Sequence, residues 1–131
     1  MALSRSAAGV RLGDMRAVQD CAAQHTDLDA SGALTALAGG GQTGATQLIN
    51  GVNRVATVAS AADSVQLPKA AAGSIVYVAN DGAQDMTVFG KEGTSDTING
   101  TAGATGVSQA TTKAAVYFCA IAGKWHRVLT A

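Results

Sequence analysis

From residue 53 onward the chain is built of short apolar runs, each stopped by turn-forming residues, at intervals of about ten residues. Residues 53–58 are rich in β-branched side chains. Residues 63–67 alternate, which sets Val65 and Leu67 inward and Ser64 and Gln66 outward until Pro68 stops the strand. Residues 74–79 and 115–122 are apolar on both faces, as expected of central strands. Asn80-Asp81-Gly82-Ala83 has the Asp-Gly signature of a tight hairpin, with 86–89 as the returning strand. Gly123-Lys124 turns the chain into 125–129, where Trp125, Arg127 and Leu129 share one face and His126 and Val128 the other. Asn99-Gly100-Thr101 matches a glycosylation sequon but reads as a turn, and the Gly-, Ala- and Thr-rich stretch 100–106 reads as a long contact loop. Strands do not alternate with helical patterns, which argues against a nucleotide-binding α/β fold. The expected fold is mostly β, a small β-sandwich, jelly-roll-like or barrel domain.

The first third of the chain is different. All five aromatic residues, Tyr77, Phe89, Tyr117, Phe118 and Trp125, lie beyond residue 44, and aromatics usually mark the core. The stretch Gly39-Gly40-Gly41-Gln42-Thr43-Gly44 ends any helix and permits a hinge. The expected division is therefore an extended N-terminal arm with a Gly-rich hinge, residues 1–44, and a β domain, residues 45–131. Within the arm Asp14 is placed to cap a short helix running to about Gln24, with Met15, Val18 and Ala22 on one face. A helix so short is not stable alone and must dock on something. The arm residues expected to contact a partner are Leu3, Arg5, Val10, Arg11, Leu12, Met15, Val18, Leu34 and Leu37.

Composition favours assembly over isolation. The 47% hydrophobic fraction is inflated by 28 Ala; Val, Leu, Ile and Phe together number only 26 of 131 residues. Ala buries little area, so a lone chain has a thin core and gains from covering further surface. Nine basic and nine acidic residues give no formal net charge, and the basic ones are scattered, so no nucleic-acid footprint is present. Two cysteines, Cys21 and Cys119, do not make a disulfide framework, and Cys119 reads as a small buried hydrophobe. No run approaches the ~18 apolar residues of a membrane span, and Arg5 and Arg11 are not followed by the apolar stretch of a signal peptide. Neither a membrane nor export is expected, and synthesis in a cytoplasm is.

Catalytic patterns are lacking. Asp27-Leu28-Asp29-Ala30-Ser31-Gly32 resembles the first half of a calcium loop, but the twelfth position, where a bidentate carboxylate is needed, is Ala38. It reads better as a polar turn. His25 and His126 are far apart and neither has a neighbouring ligand at zinc spacing. There is no nucleophile elbow, no phosphate loop and a single Glu, Glu92, so a catalytic carboxylate pair is hard to build. Trp125 is better read as closing the core than as an exposed recognition platform. The chain is expected to be non-enzymatic and to use no cofactor or metal.

The sequence from about Gln42 to Ala131 resembles small structural proteins of tailed bacteriophages, of the head-decoration (cement) and head-fibre type. The resemblance is carried by Gln42-Thr43-Gly44-Ala45, by Asn53-Arg54-Val55 with Thr57-Val58-Ala59, and by Asp63-Ser64-Val65-Gln66-Leu67-Pro68. It continues through Val78 and Asn80 with Gly82-Ala83, Val88-Phe89, Asp96 with Ile98-Asn99, and Phe118-Cys119 with Gly123-Lys124-Trp125-His126. Gly90 stands where similar sequences carry a proline after the Val-Phe pair. The resemblance implies a virion protein made in the bacterial cytoplasm that binds the outside of the capsid and stabilises the lattice of the major capsid protein. It also implies self-association, as a homotrimer first and a homodimer second. The alternative it leaves is a head-fibre or tail-associated adaptor that binds other virion proteins or the host surface.

Overall fold

The computed structural model describes residues 28–131, and among these the chain is all β. The strands are β1 (Ala30–Thr35), β2 (Thr46–Gln47), β3 (Gly51–Thr57), β4 (Ser64–Gln66), β5 (Ile75–Asn80) and β6 (Met86–Phe89). They are followed by β7 (Thr97–Ile98), β8 (Thr101–Ala102), β9 (Val107–Gln109), β10 (Ala114–Ile121) and β11 (Lys124–Leu129). The seven-stranded sheet has the order β1-β3-β5-β10-β11-β7-β8 and the four-stranded sheet β9-β6-β4-β2.

The first six strands visit the two sheets alternately, and within each sheet they lie parallel. β1, β3 and β5 pair in one, β2, β4 and β6 in the other. Val65 is opposite Thr46, nineteen residues earlier, and opposite Val88, twenty-three residues later. Each circuit of about twenty residues is thus one coil stacked on the last, the arrangement of a β-solenoid. The remaining strands close the stack. β9 returns antiparallel along β6, β10 runs antiparallel to β5, and β10 and β11 form a hairpin. β7 joins β11 in parallel and carries β8 on its far side.

The mostly-β expectation holds, whereas the hairpin expected at Asn80-Asp81-Gly82 does not form. A two-residue hairpin of that kind needs φ above zero at its central residues, and neither Asp81 nor Gly82 has it. Instead the Asn80 side chain accepts from the Gly82 N–H at 3.0 Å and donates to the Gln84 and Gln109 carbonyls, which aims the chain at the opposite sheet. Gly82 must be glycine for this path, since a Cβ there would sit 2.4 Å from the Val58 nitrogen. The Asn99-Gly100 turn does form as read: both residues are left-handed, φ 49° and 82°, and join β7 to β8. The stretch 100–106 is accordingly not a free loop. It contains β8, and Gly103 donates to the Asp96 carbonyl and accepts from the Gly90 N–H.

The boundary expected near residue 44 is also corrected. Ala30–Thr35 is a strand of the large sheet, paired along β3, so the β fold already includes these residues. Leu34 packs against the core, and Leu37 exchanges backbone hydrogen bonds with Ser64. Both residues, expected to contact a partner, are partly buried in the first coil. The Gly-rich stretch is a tight turn: residues 39, 40 and 41 are all left-handed, and a Cβ on Gly40 would lie 2.5 Å from the Ala62 carbonyl oxygen. Leu3, Arg5, Val10, Arg11, Leu12, Met15 and Val18 and the short helix expected over 14–24 lie outside the described residues. The calcium-loop-like stretch ends inside β1, so its Ser31 and Gly32 are strand residues and not turn residues.

One core lies between the sheets. Val55, Val76, Val78, Tyr117, Cys119 and Trp125 come from the large sheet and Val65, Met86 and Val88 from the small one, with Leu48, Leu67 and Ile98 filling in. Each fully buried aliphatic contributes roughly 1.5–3 kcal/mol relative to exposure. Ser64 and Gln66, expected to point outward, are buried too. The turn after β1 covers that side: Ser64 Oγ donates to the Gly41 carbonyl, and Gln66 donates to Ala45 and accepts from the Glu92 N–H.

Candidate functional site

The strands that read as apolar on both faces, β5 and β10, lie at the centre of the large sheet. Only their inner faces are buried. Successive side chains of a strand point to opposite faces, so the outer set lines up across the sheet in register. One row runs Val52 on β3, Tyr77 on β5, Val116 on β10 and Val128 on β11. A second row runs Ile75, Phe118 and His126, and Ala79 with Ala114 lies on the other side of the first. With strands spaced about 4.8 Å apart, the four-strand row is roughly 14 Å long.

Antiparallel and mixed sheets that face water normally present polar side chains there. Here Val128 is 61% exposed, Ile75 45%, Val52 42%, Phe118 39% and Tyr77 38%. A shallow groove of about 340 Å³ runs along the first row, with walls from Val52, Tyr77, Ala79, Ala114, Val116 and Val128. Polar groups are kept to the rim. Arg54 pairs with Asp81 at 2.6 Å and donates to the Gly32 carbonyl. The His126 ring stacks on Phe118, centroids 5.5 Å apart, so its polar edge borders the apolar field. Arg127 is turned to the Ser108 carbonyl. This face was not singled out by sequence reasoning. The signal was present in the apolar residues of both faces of 75–78 and 115–121, but a strand pattern alone does not tell a twice-buried strand from one whose second face awaits a partner.

The buried carboxylates are tied up in the fold. Asp63 accepts from the N–H groups of Gly39, Ala59 and Ser60. Asp96 accepts from Ala70. Cys119 is a buried free thiol, and Trp125 is fully buried in the core. Among the described residues no three His, Cys, Asp or Glu side chains come together to hold a metal ion, and no helix is long and apolar enough to cross a membrane.

Tyr117 is a buried phenol held in a hydrogen-bond network. Its hydroxyl donates to Gln109 Oε1 at 2.9 Å, and Gln109 in turn donates to the Val78 and Lys113 carbonyls. Burial pushes the phenol up to about 12, while the Arg127 charge pulls the other way. The unfolded chain ionises this group near pH 10 and the folded one near 12. Between those values the unfolded state alone gives up the proton, so stability is full below pH 10 and falls as pH rises to about 12, by up to about 2–3 kcal/mol. Urea titrations at intervals over that range should show the fall, and Tyr117→Phe should flatten it. An unchanged slope in the variant would remove Tyr117 as the cause.

No protein-family model, no curated protein and no solved structure matches this chain.

Proposed function

We propose that this chain is a non-enzymatic structural protein of a bacteriophage virion that decorates the outside of the capsid and stabilises the lattice of its major capsid protein. The observation that carries this reading is the outer face of the large sheet: a broad, shallowly grooved apolar field with polar groups at its rim. Such a surface, whose groove is shallow and lined by apolar side chains without converging polar groups, suits broad contact between protein chains in an assembly better than the capture of a small substrate. The resemblance adds support, because the residues that carry it are largely those that build the coils. Asn53 bridges Ile49 to the Tyr77 carbonyl, Asp63 binds three backbone amides, and Val65, Leu67, Val88, Ile98 and Trp125 are core. Near-zero net charge removes long-range repulsion between copies crowded on one lattice. Modest contacts repeated on a shell hold firmly through effective concentration.

Co-sedimentation of the purified protein with empty capsid shells tests this. Saturable binding at on the order of hundreds of copies per shell is expected from lattice decoration. A handful of copies per shell would favour the head-fibre or tail-adaptor alternative, and no binding would discard the capsid role.

A further inference from the structure

We infer that the outer face of the seven-stranded sheet is where this chain binds a second copy of itself, face to face across a two-fold axis. The inference stands on the surface alone and does not depend on the capsid reading.

The area is the first argument. A large side chain exposes about 200 Å² when free, so Val52, Ile75, Tyr77, Phe118 and Val128 at their observed exposures leave roughly 400 Å² of apolar surface open. That is within the range of the largest patch an ordinary monomer shows. Two such faces opposed remove about 800 Å² of apolar surface, and the small residues and polar rim between them carry the total past the ~1,000 Å² a specific interface needs. A small ligand would cover only a fraction of it.

The layout is the second argument. The row Val52–Tyr77–Val116–Val128 has valine at both ends and its aromatic near the middle. A two-fold axis between β5 and β10 sets the Val52 end of one copy on the Val128 end of the other and brings Tyr77 over the middle of the opposing row. Isologous contacts of this kind need a self-complementary patch. Tyr77 and Phe118, on adjacent strands at the centre, are the residue types that anchor interfaces. The rim does not oppose self-pairing, since Arg54 is already matched by Asp81 within each copy.

Sedimentation velocity of the full chain, without capsid shells, tests the inference. At about 100 µM, above the Kd expected of even a weak specific dimer, the chain should run at twice its 13.0 kDa mass. Val128→Glu should raise the dimer Kd by at least about 100-fold, because a carboxylate would be buried unpaired at the contact. Ala104→Glu, an exposed position away from this face, should leave the Kd unchanged. Near-UV circular dichroism of Trp125 reports that each variant is folded. Should Val128→Glu fail to fold, Val128→Thr, nearly isosteric, should still weaken the dimer about tenfold. A monomer at that concentration, or a dimer indifferent to both changes at Val128, overturns the assignment. Shell binding by a chain that stays monomeric would overturn it as well and assign the face to the shell.

Discussion

Replacing Trp125 by alanine is expected to lower the unfolding free energy by about 3–5 kcal/mol, enough to leave a domain of ordinary stability partly unfolded at 37 °C. The indole is fully buried, and its backbone lies where three strands meet. Cys119 of β10 is its cross-strand partner on one side and Ile98 of β7 on the other, and its carbonyl accepts the Asn99 N–H at the β7–β8 turn. A cavity there undermines both the β10–β11 hairpin and the two short strands that have little else to hold them. Few large side chains are available to collapse into the gap, because alanine makes up so much of the apolar content. Trp125→Phe is expected to cost only about 1–2 kcal/mol, since it also removes an indole N–H that finds no hydrogen-bond partner among the described residues. Urea denaturation followed by far-UV circular dichroism measures both. A loss under about 1 kcal/mol for the alanine variant would show that Trp125 does not close the core.

The strands with strong side-chain signals were legible in the sequence. Six runs of β-branched and aromatic residues, from 53–58 to 125–129, fall on β3, β4, β5, β6, β10 and β11. What the sequence concealed was the partner of each strand. Turn residues spaced about ten apart serve an antiparallel sandwich and a two-sheet solenoid equally well. The difference rests on backbone angles at residues such as Asp81 and Gly82, which composition does not reveal. The short strands β2, β7, β8 and β9 went unread because two or three residues have no periodicity. β1 was missed for another reason. Its sequence, Ala-Ser-Gly-Ala-Leu-Thr, is poor in strand formers and is held in place by pairing along β3, with Leu34 packed on the core. The exposed outer face was hidden for a third reason: residues 74–79 and 115–122 read as apolar on both faces, and a strand pattern alone does not show that one of those faces is open to solvent.

The turn at residues 39–41 provides the sharpest test of whether the solenoid or a hinged arm describes this end of the domain. Asp63, only 2% exposed, is the link. One carboxylate oxygen accepts the Gly39 N–H at 3.1 Å; the other accepts from Ala59 at 3.2 Å and Ser60 at 3.0 Å. Gly39 belongs to the turn after β1 and the other two to the turn after β3, so a single side chain ties the corner of one coil to the corner of the next. Asp63→Ala leaves all three donors without their acceptor. A donor stranded in a buried site costs about 1–3 kcal/mol, and partial access of water to the turn reduces the sum. The expected loss is about 3–5 kcal/mol. Asp63→Asn keeps one acceptor and should lose about half as much. Hydrogen exchange separates this local effect from general weakening: the amides of Gly39, Ala59 and Ser60 should lose protection in Asp63→Asn before those of β10 do. If Asp63→Ala costs less than about 1 kcal/mol and Gly39 exchanges freely in the parent chain, the turn is a hinge after all. If the losses appear, residues 30–41 belong to the folded domain, and any arm that reaches a neighbour must be drawn from the residues before them.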